Sequence, residues 1–331
     1  MVDSRAGGMG AAHAAGLAAG FALDACLGDP RRLHPVAGFG RLAAALERTM
    51  YRPSRLAGGL HAGAAVAGPV LLGAAVHAAT RRAPALRAAA VAAATWTVLG
   101  ARTLRREAAA MGGALDAGDL RGARARLHHL CGRDPSALSS AEVARATVES
   151  VAENTSDAVV APLAWGALAG VPGLLGYRAV NTLDAMVGHR SPRYARFGTP
   201  AARLDDALNL LPARLTGALF VLAAPVVGGR VGEAWRVFRR DRLDHPSPNA
   251  GQCESAMAGA LGVRLGGRNV YLGRAETRPL IGDGPAPAAV HVGRAARLSG
   301  VAGVAALAVS AATAWALGAR ARGRRSEAGA P

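Results

Sequence analysis

Glu149, Glu153 and Asp157 stand four residues apart in the run Glu149-Ser-Val-Ala-Glu-Asn-Thr-Ser-Asp157. On a helix this spacing puts three carboxylates on one face, within reach of a shared cation. Like charges so placed repel, and Mg²⁺ or arginine offsets them. The same spacing also serves a solvated acidic face, with Asp157 capping a helix that starts at Ala158. Arg178, Asn181 and Asp184 follow at i, i+3 and i+6. They could share a helical face, as site residues or as a polar network that joins membrane helices. Farther on stand Arg203, Asp205 and Asp206, then Asn209, and Arg214 after Pro212. Adjacent aspartates suit a hard divalent ion that bridges phosphates, and arginines fork onto phosphate or carboxylate. A salt-bridged helix start would use the same residues. Finally, His245-Pro-Ser-Pro-Asn249 forces a turn before an alanine-rich helix, with Glu254 near its N-terminus.

The elements that must position these groups are apolar helices. The 331 residues are 51% apolar and 18% charged, with a mean hydropathy of +0.20. Long Ala, Val, Leu and Gly runs suit helices packed closely in lipid, where small residues let backbones approach. Stretches near the length that crosses about 30 Å of hydrocarbon fall at 11–27, 60–79, 88–101, 158–180 and 215–228, with a sixth at 299–319. The sequence therefore predicts an all-α, polytopic membrane protein of five to six segments. One integral membrane domain spans 1–319, and a disordered basic tail covers 320–331. No stretch alternates as a strand for more than a few residues. Pro162, Pro172 and four glycines interrupt 158–180. That predicts a kinked or re-entrant element, tolerated at membrane depth where it lines a cavity or packs in protein.

The net charge is +17, and all 39 basic residues are arginine. A phosphate-loop lysine, a Schiff-base lysine and a lysine base are thereby excluded. Anions must be held by arginine, backbone N–H groups or a metal. Few aromatics and no recognisable motif weigh against nucleic acid as a partner. Cys26, Cys131 and Cys253 form neither a metal spacing nor a disulfide framework. Arginines at 320, 322, 324 and 325 place the C-terminus in the cytoplasm by the positive-inside rule.

Taken together, several blocks resemble the CobD/CbiB cobalamin-biosynthesis family, adenosylcobinamide-phosphate synthase. They are Leu23-Asp24, Gly28-Asp29-Pro30, His34-Pro35-Val36, the 149–157 run, Arg178 to Met186, Ala202 to Asp206 with Asn209, Pro212 to Thr216, Ser247-Pro-Asn249, and Ala256 to Gly262. The match runs in order from about 17 to 284; Cys253 stands where proline is expected. The resemblance implies a cell-membrane enzyme that joins a carboxylate of adenosylcobyric acid to (R)-1-amino-2-propanol or its O-phosphate. It implies ATP and Mg²⁺ as cofactors. It leaves room for other membrane enzymes of the pathway as partners.

A carboxylate does not condense unaided with an ammonium, because its oxygen is a poor leaving group and the amine is protonated. ATP would supply the phosphoryl group that activates the acid, and a protein carboxylate would take the amine's proton. For that chemistry Glu153, Asp157, Asp205 and Asp206 are the expected metal and phosphate ligands. Arg178, Arg203 and Arg214 are the expected anion clamps. Glu149, Asp184 or Glu254 is the expected base, and Asn154, Asn181, Asn209 and Asn249 position polar groups. All are expected to open to the cytoplasm, which requires 158–180 to enter and return, or a polar cavity to reach the second group. Without the resemblance, a transporter or a Mg²⁺-dependent intramembrane transferase would be the alternatives; an inverted repeat and a regular D-x-x-D box are their missing signs.

Overall fold

The structure, a computed structural model, describes residues 3–29, 34–189, 191–271 and 274–327. The helices in chain order are α1 (Asp3–Leu27), α2 (Pro35–Met50), α3 (Arg55–Ala79), α4 (Pro84–Val98), α5 (Ala101–Asp116), α6 (Leu120–Arg126), α7 (Ser140–Thr155), α8 (Ala161–Val187), α9 (Tyr194–Phe197), α10 (Thr199–Ala223), α11 (Val231–Asp241), α12 (Ala250–Leu261) and α13 (Ala289–Glu327). Among the described residues, six helical stretches are long and apolar enough to cross a membrane: Gly8–Leu27, Arg55–Ala79, Pro84–Asp116, Ser140–Val187, Thr199–Val227 and Ala289–Arg320. The chain is thus a polytopic, predominantly helical membrane protein.

Local chemistry sets the helix starts. Pro35 and Pro84 occupy the first helical turn, where a missing N–H leaves nothing unsatisfied. Ser54 Oγ accepts from the Ala57 N–H at 3.1 Å. Ser139 and Glu142 close a reciprocal capping box on α7.

Two features of the fold go beyond the sequence reading. The first is a two-stranded antiparallel hairpin, β1 (Leu265–Tyr271) and β2 (Arg274–Ile281). Its signal was hidden because Gly266 and Gly267, at φ +82° and +86°, interrupt the alternation with an irregular register. The second is the tail: α13 continues to Glu327, past the boundary at 320, while 328–331 lie outside the described residues. The proline of the Gly28-Asp29-Pro30 block and residues 31–33 also lie outside them.

The chain divides into two compact units. Unit 1 comprises 1–100, 161–208 and 307–331; unit 2 comprises 101–160 and 209–306. In unit 1, α1 and α4 run parallel in close approach. Gly8 lies against Pro84, Gly16 against Ala88 and Val91, and Gly20 against Ala92 and Thr95. Leu17, Val91, Val98, Val171 and Leu174 pack there as a core.

The interruption predicted within 158–180 is a reversal in α8. Gly170 has φ +67° and ψ −146°. A Cβ on Gly173 would overlap the Trp165 carbonyl, and one on Gly166 would meet Leu174 Cδ2 at 2.9 Å. An unbroken helix holds residues eight apart about 12 Å from each other along its axis, so the chain doubles back at Gly170. The returning arm runs antiparallel to α3, with Gly170 beside His77, Gly73 beside Pro172, and Leu183 and Val187 in one cluster with Ala62 and Phe197. Gly170→Ala should therefore destabilise the protein. A side chain at positive φ costs about 1–2 kcal/mol, and the new Cβ would stand 2.9 Å from His77 Nδ1. Thermal unfolding in detergent reads this; an unchanged midpoint argues against a built-in reversal.

This packing also fixes which ends of unit 1 go together. Gly10 meets Gly318 of α13 at the end that carries Pro84 and Gly170. Asp184 and Gly198 lie toward the other end, with Gly58 against Phe197. The carboxyl end of α13 and the Asp184 group thus occupy opposite ends of the unit.

Candidate functional site

The candidate residues fall into two groups, one in each unit. In unit 1 the returning arm of α8 presents Arg178, Asn181 and Asp184 at helical spacing, and the start of α10 presents Arg203, Asp205 and Asp206. Asn181 Nδ2 donates to Asp205 Oδ1 at 3.3 Å, and Arg178 Nη1 donates to Asn181 Oδ1 at 3.4 Å. Arg203 Nη1 lies 3.5 Å from Asp206 Oδ2 across one helical turn. The charges of Asp205 and Asp206 act on Asp184, so the three carboxylates form one acidic patch. Asp205 is buried, while Asn181, Asp184 and Asp206 are half-buried and reachable. Arg178 also lines an apolar cleft of about 330 Å³, with Phe39 and Leu42 of α2, Leu72 of α3 and Leu175 of α8.

In unit 2, α7 carries Arg145, Glu149, Glu153 and Asn154. Glu149 is buried and fully engaged. It pairs with Arg133, accepts from the Gly266 N–H at 2.7 Å, and lies 3.8 Å from Arg145 Nη1. Arg145 Nη2 in turn donates to the Arg268 carbonyl at 2.8 Å. The hairpin is thereby bound to α7, because the positive φ of Gly266 lets its amide approach the carboxylate. Asn154 Nδ2 donates to the Ser150 carbonyl at 2.8 Å. Asn209 is buried, and Arg214 is exposed, its Nη1 donating to Leu210 of its own helix at 2.7 Å. Asn249 is the residue before α12. Asp157 lies in a π-helical turn, Ser156–Val160, close enough for its charge to act on Cys253. Burial pushes the Cys253 thiol well up, so it stays an inert, protonated side chain.

A second cluster in this group is the set Glu153, His245 and Glu254. One ligand atom from each lies within 4.8 Å of the others. Glu254 is completely buried, and neither carboxylate oxygen accepts a hydrogen bond. His245 Nε2 is 3.7 Å and Arg278 Nη1 3.8 Å from Glu254 Oε1, with 3.2 Å between those two nitrogens. Burial, then the charges of Glu149 and Glu153, push the Glu254 carboxyl well above the usual range, and Arg278 only partly opposes them. Two bare carboxylates cannot hydrogen-bond to each other; with one proton, Glu254 can donate to Glu153.

Sequence reasoning placed Glu153 and Glu254 among the candidates but passed over His245, Arg133, Arg145 and Arg278. His245 was visible only as part of a proline turn, and Arg133 and Arg278 come from segments with no motif. The four-residue spacing of Arg145 and Glu149 was a readable sign.

Asp241, at the end of α11, anchors the other side of the hairpin: its Oδ2 accepts from Gly282 N at 2.7 Å. Burial works to raise this carboxyl, but hydrogen bonds from Arg240 and Gly282 outweigh it and hold it below the usual range; nearby Asp283 acts upward. A depressed carboxyl stabilises the fold above its unfolded pKa, and that support fades as pH falls through the lower folded value. Protection of the Gly282 amide from hydrogen exchange should persist at neutral pH and weaken in strong acid. Protection in Asp241→Asn should be low at every pH. Equal protection in both proteins would remove the anchor.

The donor chemistry of the two groups differs. Asp184, Asp205 and Asp206 offer only oxygen, which fits Mg²⁺ held by one or two carboxylates plus phosphate oxygens. Glu153, Glu254 and His245 include an imidazole nitrogen, which Mg²⁺ disfavours.

Comparison with known proteins bears on what this arrangement serves. A family described as CobD/Cbib protein matches residues 17–299. The chain belongs to the CobD/Cbib family. It is 51% identical over 299 residues to "Cobalamin biosynthesis protein CobD" of Mycobacterium tuberculosis, covering 90% of this chain and 95% of that one. The protein of the same name from Geobacter metallireducens is 46% identical over 273 residues, covering 79% of this chain and 84% of its own. The Rhodobacter capsulatus one is 44% identical over 281 residues, covering 82% and 88%. No solved structure matches the chain.

Proposed function

We propose that this membrane protein acts in cobalamin biosynthesis by joining adenosylcobyric acid to (R)-1-amino-2-propanol or its O-phosphate, giving adenosylcobinamide or its phosphate. It is a carbon–nitrogen ligase of the adenosylcobinamide-phosphate synthase type. The observation that carries this reading is the unit 1 patch, where three carboxylates, one amide and two arginines meet on α8 and α10. That is the set of side chains an anion-to-amine condensation needs, and relatives that share most of the chain bear cobalamin-biosynthesis names.

Asp205 and Asp206 hold Mg²⁺, and Arg178 and Arg203 hold the substrate anions. ATP, when bound, supplies the phosphoryl group that makes the carboxylate oxygen a leaving group. Asp184 takes the proton of the attacking amine. Among the three candidate bases it is the half-buried, reachable one: Glu149 is engaged by Arg133 and the Gly266 amide, and Glu254 is sealed in the interior. Asn181 fixes Asp205 and Arg178 relative to each other. The apolar cleft beside Arg178 takes an apolar flank of the corrinoid.

Charged substrates and ATP come from the cytoplasm, so the Asp184 end of unit 1 faces it and the carboxyl end of α13 faces away. A cysteine at Ser191, in a background without the native cysteines, should be labelled from the cytoplasmic side; labelling from the other side rejects this orientation. The metal assignment has its own test. Asp206→Asn should raise the Mg²⁺ concentration needed for half-maximal ligation about tenfold or more. An unchanged Mg²⁺ dependence would remove Asp206 from the metal site.

A further inference from the structure

We propose that Glu153, His245 and Glu254 form a second metal site, for one divalent ion that accepts nitrogen and oxygen ligands, in the class of Zn²⁺, Co²⁺ or Mn²⁺. Three elements build it: the end of α7, the turn after α11, and α12. A metal with bonds of about 2.0–2.2 Å holds neighbouring ligand atoms about 3–3.5 Å apart. The three side chains, already within 4.8 Å of one another, close on an ion by small rotations.

The electrostatics point the same way. Glu254 has no exposed surface, and no N–H or hydroxyl group donates to either of its oxygens. An enclosed carboxylate in that state is costly unless a cation or proton reaches it. Arg278, at 3.8 Å, offsets charge but lies beyond hydrogen-bond length, so it leaves the lone pairs unused. His245 is oriented from behind. Its Nδ1 accepts from the Ser247 N–H at 3.0 Å and lies 3.4 Å from the Ser247 carbonyl, while Nε2 faces Glu254. Metal binding at Nε2 needs the form with the proton on Nδ1, which gives up the bond from the Ser247 N–H and turns to that carbonyl instead. The ion replaces Arg278 as the partner of Nε2, and the arginine swings aside. Three protein ligands leave positions open for water or a substrate oxygen. This inference does not rest on the ligation chemistry assigned to unit 1.

The test is metal content and uptake. Protein purified in detergent without chelator should carry one such ion per chain. After chelator treatment it should take up Co²⁺ and develop the visible bands of a nitrogen–oxygen site. His245→Ala, Glu254→Gln and Glu153→Gln should each weaken Co²⁺ affinity by roughly a hundredfold or more. Arg278→Gln should bind as tightly as the wild type or more tightly, because its competing cation is gone. Thermal unfolding identifies any variant that fails to fold, and the half-buried Glu153 provides the mildest change. Wild-type protein that is metal-free as isolated and takes up neither Co²⁺ nor Zn²⁺ overturns the proposal and leaves Arg278 as the resident cation. So does unchanged affinity in folded Glu153→Gln and His245→Ala. Because the readout is binding, loss of ligation activity alone would count against the unit 1 reading, not this one.

Discussion

Asp184→Asn should lower the rate of amide formation by about 10²- to 10⁴-fold, the usual contribution of a positioned proton acceptor. The substitution keeps the side chain's shape and removes only its charge and basicity. Folding should be unharmed, since Asp184 lies under the like charges of Asp205 and Asp206, and removing one of three negative neighbours relieves repulsion. The loss should appear in kcat more than in KM for either substrate, because a base acts in the transition state. Single-turnover measurements with the unfolding midpoint as control check both halves. Near-normal turnover would send the search for the base back to unit 2.

Glu149→Ala has the largest expected effect on stability. The wild-type carboxylate is 1% exposed and compensates Arg133 and Arg145, both themselves buried. Removing one partner of a buried ion pair costs about 3–5 kcal/mol, because the remaining charge is stranded. Here two guanidinium groups are stranded, and the Gly266 amide also loses its acceptor. Glu149→Gln should be milder, since the amide oxygen can still accept from Gly266. Denaturant unfolding in mixed micelles ranks the two, and hydrogen exchange across 265–281 should report loosening of the hairpin first. A wild-type-like Glu149→Ala protein would show that this ion-pair set contributes little.

What the sequence reveals here depends on how local the physics is. Membrane helices announce themselves by run length, so the spans at 60–79 and 299–319 fall inside observed helices. The reversal at Gly170 was legible as a glycine- and proline-rich break, because the backbone restrictions of those residues are local. The hairpin was not, since Gly266 and Gly267 break its alternation and its anchors, Glu149 and Asp241, are far away in sequence. In the unit 1 patch, helical spacing was enough to join Arg178, Asn181 and Asp184. The reach of Asn181 to Asp205 across two helices was not visible in spacing. His245 needed the fold altogether: nothing in His-Pro-Ser-Pro foretells that α7 brings Glu153 to it.

The most direct measurement is product analysis by mass spectrometry, using purified protein with adenosylcobyric acid, the amino alcohol or its phosphate, ATP and Mg²⁺. The account predicts a new corrinoid whose mass matches one amide bond formed with loss of water. Its formation should depend on ATP, occur with the wild type, and be abolished in Asp205→Asn protein that remains folded. A wild-type reaction that yields no amide would contradict the account, as would an Asp205→Asn protein that forms it at the wild-type rate.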